Sequence, residues 1–168
     1  MAVVNTKSSQ VANGDAAVQT LNASGVSGGR QYVSVDKVAV AAADDDGSVL
    51  RMFRVHSSWR ILQLELLCDA LTGGTSYDLG LYQIAANGGA VVAAGCYANA
   101  VDLSAAKTAW LEMAFENRTI DKVGNAVWQD AGLSADNGRW YDLCLTANTI
   151  GTAAGNVAMK MTFTQGSS

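Results

Sequence analysis

The sequence predicts an all-β fold: an antiparallel β-sandwich, jelly-roll-like, with an extended N-terminal arm and one or two short helices. Three observations predict it. Apolar and polar residues alternate with period two along much of residues 31–168, the mark of strands with one buried face. Clusters rich in Gly, Asn and Asp punctuate those runs where turns need positive φ. The 168 residues are 49% hydrophobic and only 15% charged, enough for one domain with a single core and too apolar for a disordered or coiled-coil chain.

Residues 1–30 stand apart as the arm. Ser, Asn, Gly, Thr and Ala dominate them, and they close on Ser27-Gly28-Gly29-Arg30. They hold too few bulky apolar residues for a core of their own. Two readings stand, a frayed tail or an arm that orders against a neighbouring subunit through Val3, Val4, Val11, Val18 and Leu21.

Residues 31–168 form the sandwich. Tyr32 to Ala42 is a soft strand, and Val49 to Val55 a second, with Arg51, Phe53 and Val55 on one face and Arg54 on the other. Trp59 to Cys68 gives the clearest alternation: Leu62, Leu64, Leu66 and Cys68 against Gln63 and Glu65. Tyr77 to Ile84 leads through Asn87-Gly88, the best hairpin signal, to Val91-Val92. Asp102 to Lys107 reads as one helical turn entering a strand over Ala109 to Glu116. Thr119 through Ala131 reads as a short surface helix stopped by Gly132. Tyr141 to Thr146 and Val157 to Phe163 complete seven or eight strands, the number of a two-sheet sandwich. Leu62, Leu64, Leu66, Leu143, Leu145, Met159, Met161 and Phe163 are expected in one core.

Charge and chemistry narrow the function. A net charge of −4 argues against nucleic acid as a partner. No apolar run reaches the roughly 20 residues of a membrane span. The start, MAVVNTKSSQ, has neither a basic n-region nor a continuous apolar h-region, so the reducing cytosol is the expected place of synthesis. Cys68, Cys96 and Cys144 are widely spaced without a C-x-x-C pair and are expected as free thiols, without metal. His56 is the single histidine, so any triad or histidine-rich zinc site depends on it; at a strand end a hydrogen-bonded surface role is the better reading. Asp44 to Asp46 lack the alternate spacing and distal glutamate of an EF-hand loop. Glu65, Glu112 and Glu116 lie on predicted strands where outward charges are ordinary. No cofactor, catalytic or metal site is expected. Trp59, Trp110, Trp128 and Trp140 are the remaining surface clue, since tryptophan favours interfaces and sugar platforms; for any one of them core packing is the alternative.

The run Ser48-Val-Leu-Arg51-Met-Phe-Arg54-Val-His-Ser-Ser-Trp59-Arg60-Ile61, then Ser76-Tyr77-Asp78-Leu79-Gly80-Leu81-Tyr82, Trp128-Gln129, Gly132-Leu133-Ser134-Ala135-Asp136 and Trp140-Tyr141-Asp142-Leu143, resembles small virion structural proteins of tailed bacteriophages. Some of those are capsid decoration (cement) proteins with a jelly-roll-like sandwich. The resemblance covers roughly residues 30 to 165. It implies a virion role, shared by cement, tail and neck proteins; the reading taken is a non-enzymatic protein on the outer surface of the phage head, with the major capsid protein and other copies of itself as partners, and the likeness to cement proteins suggests a homotrimer. Val3, Val4, Val11, Val18, Leu21, Arg30, Trp110 and Trp128 are the residues assigned to those contacts. An acidic surface suits the capsid exterior, away from the genome. The alternative is a phage tail or receptor protein whose exposed tryptophans bind carbohydrate.

Overall fold

The computed structural model describes residues 6–22 and 25–166, so Val3 and Val4 lie outside the described residues. Eight strands carry the fold: β1 (Gln31–Val40), β2 (Val49–His56), β3 (Arg60–Cys68), β4 (Ser76–Gln83), β5 (Val91–Val101), β6 (Lys107–Glu112), β7 (Trp140–Thr149) and β8 (Gly155–Thr164). They form two four-stranded sheets, ordered β1-β8-β3-β6 and β2-β7-β4-β5, and every pairing is antiparallel. The first strand pairs with the last, the second with the seventh, the third with the sixth and the fourth with the fifth. The chain is thus one long hairpin rolled over itself, and the pairs β3–β8 and β4–β7 close the roll. That is a jelly roll, and the predicted all-β sandwich stands.

The inner faces supply one core. Leu64, Leu66, Leu143, Leu145, Met159, Met161 and Phe163 all belong to it, with Leu79, Leu81 and Tyr77 from β4. Leu62 does not. A bulge between Ile61 and Gln63 turns Ile61 inward opposite Phe163 and leaves Leu62 half-buried. A second bulge, between Arg51 and Phe53, corrects the reading of β2: Phe53 and Val55 stay buried while Arg51 and Arg54 both point out. Strict alternation puts those arginines on opposite faces, and one inserted residue reunites them.

The hairpin at Asn87-Gly88 forms around a 3-10 turn, Ala85–Asn87, closed by Gly88 at φ 90°. Gly80 answers a different need. A Cβ there would collide with the backbone of Ala93 and Ala94, because β5 crowds over β4 where its register slips.

Three local expectations need correction. Asp102 to Lys107 makes no helical turn; the Asp102 carboxylate accepts the Ser104 N–H at 2.8 Å and holds a bend instead. The strand expected to reach Glu116 stops at Glu112, whose carboxylate accepts the Ala114 N–H at 2.7 Å and turns the chain. The helix expected over Thr119 to Ala131 is shorter, a 3-10 turn at Ile120–Lys122 followed by α2 (Val127–Asp130).

The other short helix, α1 (Ser9–Asp15), lies inside the predicted arm and makes residues 6–22 more compact than an extended segment. The Ser8 hydroxyl caps it by accepting the Val11 N–H, Lys7 pairs with Asp15 at 2.8 Å, and Asn13 donates to Asn22 at 2.7 Å. No residue of α1 is buried. The chain joins the sandwich at Gly25, whose carbonyl accepts from the Thr164 hydroxyl at 2.9 Å.

Candidate interaction surfaces

β1 is an edge strand. It pairs only with β8, so the other side of its ten-residue backbone has no partner strand, and the Asp36 carboxylate accepts the Lys37 N–H at 2.8 Å. Its register sets Tyr32 against Phe163, Ser34 against Met161 and Val38 against Val157, so Val33 and Val35 project from the opposite, outer face. They are 62% and 61% exposed. The same outer face carries Trp110 on β6, 41% exposed, with the Lys160 ammonium 4.9 Å over its ring and Lys160 paired to Glu65. The exposed valines and Trp110 thus mark the two opposite edges of one outer sheet face, with β8 and β3 between them.

Five rings run across one end of the sandwich. Tyr32 stacks on Phe163 at 5.6 Å, Phe163 on Trp59 at 4.3 Å, and Trp59 meets Trp140 edge-on at 5.5 Å. His56 completes the series at 5.0 Å from Trp140, with its Nδ1 2.9 Å from the Ser58 hydroxyl. The ladder ties both sheets together, and it gives His56 a packing and hydrogen-bonding role.

On the other sheet the β2 bulge aims two arginines at one buried carboxylate. Arg51 Nη1 lies 2.8 Å and Arg54 Nε 3.0 Å from Asp142, which is 5% exposed. Arg51 also donates to the carbonyls of Gln83 and Gly89, both at 3.1 Å, and so staples the β4–β5 turn to β7.

A third charged cluster is wholly internal. Arg118 and Asp130 pair at 3.2 Å with side chains 0% and 1% exposed. Tyr97 donates its hydroxyl to the same carboxylate at 3.0 Å, and Asn125 donates to it at 3.4 Å. The guanidinium also donates to the carbonyls of Ile61 and Lys122 and packs over the rings of Phe115 and Tyr97. Burial raises the Asp130 carboxyl above the ordinary aspartate range, and the attraction of Arg118 only partly opposes it. This network moors residues 113–139, the connection from β6 to β7, against β3 and β5.

Of the contact residues expected from sequence, Val11, Val18 and Leu21 are exposed, at 51%, 85% and 95%, as is Arg30. Trp110 is on the outer face described above. Trp128 is half-buried in α2, its backbone N–H donating to the Ser57 carbonyl at 3.0 Å. Sequence reasoning missed Val33 and Val35, although their alternation in Tyr32-Val33-Ser34-Val35-Asp36 was the available signal.

All three cysteines are free; Cys68 and Cys144 are buried, and burial pushes Cys96 and Cys144 up to about 12. In the native protein at mildly alkaline pH, a thiol reagent is expected to react slowly or not at all, and three thiols are expected to react after denaturation. Rapid native labelling of Cys144 contradicts this packing.

Among the described residues no three His, Cys, Asp or Glu side chains are placed to hold a metal ion, and no helix is long and apolar enough to cross a membrane. No protein-family model matches the chain, and no curated protein matches it. Among solved structures it is similar to one described as "Cyanophage Pam1 capsid asymmetric unit", at 18% identity, 90% coverage of this chain, 96% of that chain and a TM-score of 0.49.

Proposed function

We propose that the chain is a non-enzymatic structural protein of a tailed-phage virion, a capsid decoration protein that binds the outer surface of the head and stabilises the shell. The major capsid protein and further copies of this chain, arranged as a trimer, are its partners. The observation that carries this reading is the free β1 edge with Val33 and Val35 exposed. A solitary soluble protein normally blunts such an edge, whereas one that joins a lattice uses it to add a neighbour's strand or loop. The sequence resemblance to phage virion proteins supports the same reading, and the jelly roll is an architecture shared with viral capsid domains. Fold alone does not assign the role.

The test adds purified chain to phage heads stripped of decoration. The double variant Val33→Lys, Val35→Lys places two charges on the edge, where surface changes alter folding by no more than about 0.5 kcal/mol. It is expected to melt like wild type and to bind heads at least about ten-fold more weakly. Undiminished occupancy, with the same protection of the shell, overturns the proposal.

A further inference from the structure

A cleft of about 170 Å³ opens where the β4–β5 turn meets the segment leading into β7. Trp140 lines it, 43% exposed, its ring set by the near-perpendicular packing of Trp59 and His56. Around it stand Gln83, Asn87, Asn137, Arg139 and Tyr141. Asn137 is committed inside the chain: its Nδ2 donates to the Tyr141 hydroxyl at 2.6 Å and its Oδ1 accepts the Arg139 N–H at 3.2 Å. Tyr141 is buried, and its hydroxyl, having accepted from Asn137, keeps its own proton to donate. The side-chain amides of Gln83 and Asn87 make no hydrogen bond among the described residues, and the Arg139 guanidinium takes part in none of the ion pairs there.

An apolar ring face bordered by two amides, a hydroxyl donor and a guanidinium is the chemistry that recognises a sugar. The C–H face of a pyranose packs on an indole, while planar amides and guanidinium meet its hydroxyl pairs. The volume lies below the roughly 300–1,000 Å³ of pockets that enclose drug-sized ligands, so it suits one ring at the end of a chain. Arg139, exposed and without a carboxylate partner among the described residues, selects the charge.

We propose that this cleft is a saccharide-binding site that takes one pyranose ring bearing a carboxylate. It is separate from the β1 edge, so its success or failure leaves the shell-binding proposal untouched.

Tryptophan fluorescence and amide chemical shifts, followed during titration of the whole chain, test it. The probes are glucuronic acid, galacturonic acid and N-acetylneuraminic acid, with glucose and N-acetylglucosamine as neutral counterparts. At least one acidic sugar is expected to saturate with a Kd of about 1 mM or tighter and to shift the amides of Asn87 and Trp140. Arg139→Ala is expected to weaken that sugar roughly ten-fold, and Asn87→Ala to weaken it by a smaller factor. Both positions are exposed, so both variants are expected to melt like wild type. Absence of saturation by every acidic probe, equal binding of neutral and acidic sugars, or binding unchanged in both variants overturns the proposal.

Discussion

Arg118→Met is expected to cost about 3–5 kcal/mol of folding free energy near neutral pH, the penalty of breaking a buried ion pair from one side. The Arg118 and Asp130 side chains are almost completely removed from solvent, so the variant strands a carboxylate and leaves the Ile61 and Lys122 carbonyls without their donor. Methionine keeps much of the packing against Phe115 and Tyr97, which isolates the electrostatic loss. The deficit also depends on pH in a defined direction. Burial already raises the Asp130 carboxyl, and removing the cation raises it further. A carboxyl whose folded pKa exceeds its unfolded value of about 3.9 keeps its full stability below that value and loses it as pH rises through the folded pKa. Urea unfolding is therefore expected to give the smallest deficit at about pH 4 and a growing one toward neutrality. A deficit below about 1 kcal/mol at neutral pH, the range of an exposed pair, contradicts the network.

Leu64→Ala carries the second large expected effect, about 2–5 kcal/mol, from lost transfer free energy and the cavity left behind. Leu64 is fully buried opposite Met161, at the centre of the contact between β3 and β8. For a domain of this size that loss lowers the melting temperature by roughly 5–15 °C. Leu62→Ala is the matched control, because the bulge leaves Leu62 half-buried and outside the core. It is expected to cost less than half as much. Equal costs at the two positions mean that the β3 register is wrong.

Strands were legible where alternation ran unbroken, as in Leu64-Glu65-Leu66 or Met159-Lys160-Met161, because one buried face writes a period of two directly into the chain. The bulges at Met52 and Leu62 were not, since an inserted residue changes pairing without changing composition. That single effect hid the convergence of Arg51 and Arg54 on Asp142. The internal cluster was hidden for another reason. Arg118 and Asp130 look like ordinary surface charges in sequence, and only Tyr97, brought in by β5, shows that they are inside. The helical turn expected at Asp102 failed because a short acidic side chain offers the backbone a bend as readily as a helix. The aromatic ladder and the cleft beside it are likewise assembled from five separate stretches of chain, each unremarkable alone.

The proposed shell role rests on the open β1 edge of the jelly roll. Its decisive test is a density map of the intact phage particle. Density for this chain is expected on the outer surface of the head, in many symmetry-related copies, with Val33 and Val35 against the capsid protein or a neighbouring copy. Density confined to the tail, density inside the shell, or the β1 edge standing free in solvent contradicts that role.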